Sequence, residues 1–212
     1  MLSSYGMLYT MSREPTDTRG RILDAAWQLL EASRGTGVRM SDIAKQAQIS
    51  RQALYLHFAT RSELLIATTR YLDEVKDIDQ RLAASRSAQS GVTRLEAFIE
   101  GWGNYIPEIY GIARALLIAR ETDDAAKQAW NDRMAAVREG CAAAVDALKR
   151  DDALTSAYPA NQATDILWTM LSVRNWEQLT IECGWSQAKY IRSMKRLAKN
   201  ALLAQTEGPR SN

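Results

Sequence analysis

The sequence predicts an all-α protein: an N-terminal three-helix helix-turn-helix head followed by a C-terminal helical bundle. Two short apolar-striped segments within residues 40–58, separated by a brief interruption, predict the head. Beyond residue 60, apolar positions recur at helical spacing almost to the end, and no stretch alternates as a strand would. A chain of 212 residues with 46% apolar content and 4 prolines has material enough to bury such a body.

Within the head, Ile43, Ala44 and Ala47 put one apolar stripe on a short helix that starts near Ser41. Gln48-Ile49-Ser50 interrupts the pattern, with Ile49 placed to fill the angle between two helices. Ser50 suits the N-cap of the next helix, because its hydroxyl accepts from free backbone N–H groups. In the segment Arg51 to Phe58, residues Ala53, Leu54 and Phe58 take the inner face, leaving Arg51, Gln52, Tyr55 and His57 outside. Two short helices joined by a three- or four-residue turn make a helix-turn-helix, whose second helix can enter the major groove of DNA.

The body follows helix by helix. From Arg61 the apolar positions Leu64, Leu65, Thr68, Leu72, Val75, Ile78 and Leu82 predict one linking helix to about Ala84. A polar loop, Ser85 to Gly91, precedes helices expected over 92–106, from Pro107 to about 120, and over 122–150. Pro107 suits a first helical turn, where its missing N–H costs nothing. Thr122-Asp123-Asp124 supplies a cap and acids at a helix start, as the helix dipole favours. After a loop over 151–159, helices are expected over 161–183 and 186–205, with Gly184 as the C-cap between them. The resulting domains are a head over 17–62 and a body over 63–205, with disordered tails at 1–16 and 206–212.

From Thr18 to Ala67 the chain resembles the TetR family of transcriptional regulators. The resemblance is carried by an amphipathic first helix (Arg21 to Leu30), the turn Gly35-Thr36-Gly37, Asp42-Ile43-Ala44, Tyr55-x-His57-Phe58 and Glu63-Leu64-Leu65 at their spacings. It implies that Ser50, Arg51, Gln52 and Ala53 open the groove-facing helix, and that Tyr55 and His57 donate to backbone phosphates. Arg61 stands where the family usually has a phosphate-binding Lys. Arg39 stands where Thr is common, so Ser41 or the Met40 N–H takes that contact instead. Gln48 replaces the usual turn Gly, which costs on the order of 1 kcal/mol if the backbone there is left-handed.

Beyond Ala67 the resemblance implies only an all-helical ligand-binding and dimerisation domain; the stretch from Leu167 to Ser186 looks like the final helix pair of some members. Five tryptophans fall in this part. One reading of them is a cavity for an apolar or flat effector, framed by Trp102, Tyr105, Tyr110, Trp130, Met134, Trp168 and Ser172. The other reading is packing in the core or at a dimer interface, since aromatics dominate both. The last two helices are expected to form that interface, through Ile166, Met170, Val173 and Glu177 on one and Tyr190, Met194, Leu197 and Ala201 on the other.

Charge and composition narrow the function. Residues 1–70 hold nine Lys+Arg against six Asp+Glu, so the overall +2 hides a mildly basic head on a near-neutral body of 18 against 19. That distribution suits a partner with a phosphate backbone. His57 is the sole histidine, which removes His-based catalytic triads and clustered His metal sites. Glu100, Glu108 and Glu121 have no partner pattern, so no enzyme, metal or cofactor is expected. Cys141 and Cys183 are too few and too far apart for a disulfide framework, and no run is long enough to span a membrane. A reducing cytoplasm is the expected location.

The expected function is a homodimeric transcriptional repressor that leaves a palindromic double-stranded operator when a small apolar or aromatic effector binds the body. The alternative is an effector-independent DNA-organising or scaffold protein with the same head.

Overall fold

The computed structural model describes residues 18–204, so the tails expected at 1–16 and 206–212 lie outside the described residues. The head consists of α1 (Thr18–Ala32), α2 (Met40–Gln46), α3 (Arg51–His57) and the start of α4 (Arg61–Val75). Ile22, Ala26, Ile43, Leu54, Phe58 and Leu64 form its core, each without exposed surface. Helix α2 ends as the capping rules require: the Gln48 N–H donates to the Lys45 carbonyl at 3.1 Å and the Ile49 N–H to the Ala44 carbonyl at 3.0 Å. That geometry puts Gln48 at φ 57, in the left-handed region.

The body contains α5 (Ile78–Arg81), α6 (Ala83–Arg86), α7 (Gly91–Ala119), α8 (Asp124–Arg150), α9 (Ala160–Met170), α10 (Val173–Glu177), a π-helical turn (Gln178–Glu182) and α11 (Gln187–Leu202). The long helices α7 and α8 lie along one another, with the Phe98 ring seated where Gly140 has no side chain. Among the described residues the only strand-like pairing is an isolated bridge between Leu154 and Leu203. A third cluster, containing Leu30, Leu65, Leu72, Ile112, Leu116 and Trp130, welds α1 and α4 of the head to α7 and α8 of the body.

Three expected helices are drawn differently. The linking helix from Arg61 stops at Val75 rather than near Ala84, because Asp77 turns left-handed (φ 46) and its side chain caps α5 at the Gln80 N–H. Pro107 does not start a helix but lies inside α7. A proline there deprives the Gly103 carbonyl of its partner four residues on. Gln187 of α11 replaces that partner, donating through Nε2 to the Gly103 oxygen at 2.8 Å while its Oε1 accepts from Trp176 Nε1 at 2.9 Å. The helix expected over 161–183 breaks after Met170: Ser172 is extended and caps α10 through the Asn175 N–H at 3.1 Å. The Leu171 carbonyl at the break accepts from the Trp102 indole at 2.9 Å.

Two substitutions test this account. Gln48→Gly removes the steric cost of a side chain at a positive φ and is expected to raise unfolding free energy by about 0.5–1 kcal/mol in urea denaturation. A fall in stability would mean that the packing of Gln48 outweighs the strain. Tyr190 is fully buried and its hydroxyl has no hydrogen-bond partner. Tyr190→Phe therefore leaves the stability equal or higher, by up to about 1–3 kcal/mol. A drop in the same titration would reveal an acceptor for that hydroxyl.

Candidate nucleic-acid interface and the cavity behind it

Helix α3 is held by both its ends. The Ser50 hydroxyl accepts from the Ala53 N–H at 3.0 Å, and the Thr60 hydroxyl that opens α4 accepts from Glu63 N–H at 3.0 Å. The Glu63 carboxylate reaches back to the Ala59 N–H at 2.8 Å, clamping the corner just past α3. With Leu54 and Phe58 inward, Arg51, Gln52, Tyr55 and His57 are exposed along one helix, and Ala53 is half-buried at its start. The Arg51 guanidinium lies 5.5 Å from the Tyr55 ring centroid, which restrains both side chains. Leu56 is 85% exposed on the same helix, an apolar side chain with no protein surface to cover. Sequence reasoning passes over Leu56, although its position off the inner stripe is the available signal.

The flanking residues are partly occupied. Arg39 and Asp42 close a capping box at the start of α2: the Arg39 backbone N–H donates to Asp42 Oδ2 at 2.9 Å, and Arg39 Nε reaches it at 3.3 Å. Those hydrogen bonds hold the Asp42 carboxyl below its ordinary range, the backbone N–H contributing most. Ser41 is exposed beside them. Arg61 is half-buried and donates through Nη1 to the Val38 carbonyl at 2.6 Å, so it ties α4 to the segment before α2. Any phosphate contact by Arg61 has to use its remaining N–H groups.

Behind the head lies a partly open cavity of about 470 Å³ lined by α4 to α8 and by Val173 at the start of α10, within the size range of small-molecule sites. Trp102, Tyr105, Trp130 and Met134 line it. Tyr110, Trp168 and Ser172 do not. Tyr110 donates to Glu177 and packs at a tilt against Trp176 with centroids 5.1 Å apart, Trp168 packs against the body core, and Ser172 is spent as a helix cap. Sequence reasoning misses Phe98, Leu116 and the polar residues Asp73 and Arg133, which also line the space. Asp73 of α4 accepts from the Tyr105 hydroxyl at 3.0 Å and pairs with Arg133 of α8. Burial pushes the Tyr105 phenol up to about 12, so it stays a neutral donor. No local pattern announces such a group, because its members come from three helices.

The outer surface of α9 and α11 is also partly different from expectation. Val173, Tyr190 and Met194 are buried within the protomer. They are therefore part of its core rather than of an exposed face. Ile166, Met170 and Ala201 are partly exposed and Leu197 is 45% exposed. Glu177 is half-buried against Tyr110 and Arg114. Among the described residues no group of three or more His, Cys, Asp or Glu is placed to hold a metal, and no helix is long and apolar enough to cross a membrane.

Comparison with known proteins relates the arrangement to a family. Residues 22–68 match the model of bacterial regulatory proteins of the tetR family. The nucleoid occlusion factor SlmA of Marinomonas sp. (strain MWYL1) is 25% identical over 115 residues, a match covering 53% of this chain and 58% of that protein. The HTH-type transcriptional regulator CymR of Pseudomonas putida is 26% identical over 182 residues, covering 85% of this chain and 86% of the other. Among solved structures, a transcriptional regulator of Saccharomonospora viridis in complex with choline superposes with TM-score 0.77 at 16% identity, over 90% of this chain and 100% of that one. FadR of Bacillus subtilis in complex with stearoyl-CoA gives 0.70 at 14% identity, over 86% and 98%. The head thus matches the tetR family of bacterial regulatory proteins over residues 22–68, and the fold that carries it is shared with those solved structures over about nine-tenths of the chain.

Proposed function

We propose that the protein is a homodimeric repressor that leaves a palindromic operator when a small apolar or aromatic effector fills the cavity. The observation that carries this reading is the double use of α4. Its first turns supply Leu64 to the head core, and its later turns supply Thr69, Leu72 and Asp73 to the cavity wall. An effector pressing on that wall acts directly on the helix that seats α3. The shift it produces is limited by its preference for one of the two arrangements. The ligand-bound neighbours of the same fold support a cavity of this kind, each with its own compound.

In this reading the head spans 17–62 and the body 63–205, with α4 belonging to both. Arg51, Gln52 and Ala53 face base edges, joined by Leu56, whose exposed side chain suits a thymine methyl. Tyr55, His57, Ser41, Arg39 and Ser50 approach phosphates. Ile166, Met170, Leu197 and Ala201 form the surface for a second copy. Two-fold pairing then sets the recognition helices about 34–36 Å apart, one turn of duplex DNA.

The resemblance to a nucleoid occlusion factor favours a second reading, a DNA-organising protein that needs no effector. Selection of binding sites from random duplexes, followed by competition with candidate compounds, separates the two. Recovery of a palindrome released by a cavity ligand supports the repressor; persistent binding whatever fills the cavity supports the second reading.

Point variants test the interface. Tyr55→Phe and His57→Ala are expected to weaken binding to all DNA sequences alike and to flatten the salt dependence by about 0.9 for each phosphate interaction removed. A changed base preference with intact random-DNA affinity would show the roles to be misassigned. Arg51→Ala and Leu56→Ala each relax the selected site at one position per half-site, by about 1–3 kcal/mol for a good base contact. An unaltered site profile for both would remove α3 from base reading.

A further inference from the structure

We infer that the effector is a carboxylate with an aromatic or alkyl body, its acid group held by Arg94; this rests on the effector reading above. Three arginines line the cavity: Arg86, Arg94 and Arg133. Arg133 is paired with Asp73, and Arg86 with Asp79 at 2.7 Å. Arg94 pairs with no carboxylate among the described residues, and its Nε, shut off from solvent, has no hydrogen-bond acceptor. A guanidinium keeps its charge throughout the accessible pH range, so it cannot relieve this by losing a proton. The remaining carboxylate of the lining, Glu139, is exposed, and no ion pair joins it to Arg94.

The rest of the wall fits the other end of such a molecule. Along α7, Arg94, Phe98 and Trp102 follow at four-residue spacing and so share one helix face. The Trp102 N–H is spent on the Leu171 carbonyl and the Tyr105 hydroxyl on Asp73. These rings therefore offer apolar surface rather than free donors. Arg94 is left as the group that orients a ligand, and a carboxylate accepts from it with charge assistance. A cationic ligand finds no such buried partner, because Asp73 and Asp79 are already paired with arginines and Glu139 is exposed to solvent.

The test uses the intact protein and 4-phenylbutyrate, phenylacetate and decanoate, each against its primary amide, with phenethyltrimethylammonium as the cation. Binding is read by quenching of tryptophan fluorescence and by melting temperature, and release by gel shift on a selected site. The carboxylates are expected to bind about 10–100-fold more tightly than their amides, the worth of one charge-assisted hydrogen bond. Arg94→Gln removes that advantage while leaving amide binding and DNA binding in place, and Arg94→Lys restores part of it. Equal binding of acid and amide by the native protein overturns the inference, as does a carboxylate preference that survives Arg94→Gln. If amides or the cation bind best and release DNA, the anion is wrong and the effector reading stands. If no compound of any charge binds while DNA binding persists, both fall together.

Discussion

The close approach of α1 to α7 is the constraint on which the rest of the molecule depends. Gly35, just past the end of α1 at φ 78, lies against Gly111 in the middle of α7, and a side chain on either would overlap backbone of the other element. At that crossing the Glu31 carboxylate accepts from the backbone N–H groups of Gly111 at 2.9 Å and Ile112 at 3.2 Å, one turn past Pro107. Burial raises the Glu31 carboxyl above its ordinary value, and the two backbone donors oppose that rise. The head is thus fastened to the body by backbone contact and by a shared apolar seam, not by a flexible linker.

This attachment gives the cavity mechanical reach. Its wall includes α4, which runs from the corner after α3 to Asp73, where side chains from α7 and α8 converge. Further along, Lys76 and Arg81 both reach Glu108 of α7, at 3.0 Å and 2.8 Å, so the ends of α4 and α5 are tied to the same helix. Close-packed interiors of this kind switch between discrete arrangements rather than deforming smoothly. In the proposed repressor, a ligand that changes the packing around Asp73 acts on α4 as a unit.

Pro107 shows why some of the fold resists reading. By local rules a proline belongs at a helix start, and nothing near it in sequence announces otherwise. Its place inside α7 depends on Gln187, far along the chain, which supplies the Gly103 carbonyl with a donor. The break at Ser172 is similar, because the carbonyl freed at Leu171 accepts from the Trp102 indole on another helix. Val173, Tyr190 and Met194 read as a surface stripe because periodicity marks an apolar face without saying what covers it. Here the protomer itself covers them.

What the chain determined alone is the head: caps at Ser50 and Thr60, the inward set of Leu54 and Phe58, and the exposed run from Arg51 to His57 all follow from interactions within a few residues. Even the strain at Gln48 was written locally, in a helix end that demands a left-handed residue. The cavity, the free guanidinium of Arg94 and the Glu31 fastening were decided only by tertiary structure. Each depends on side chains from separate helices meeting at a set depth and angle, and helical periodicity reports which face is apolar but not what lies opposite it.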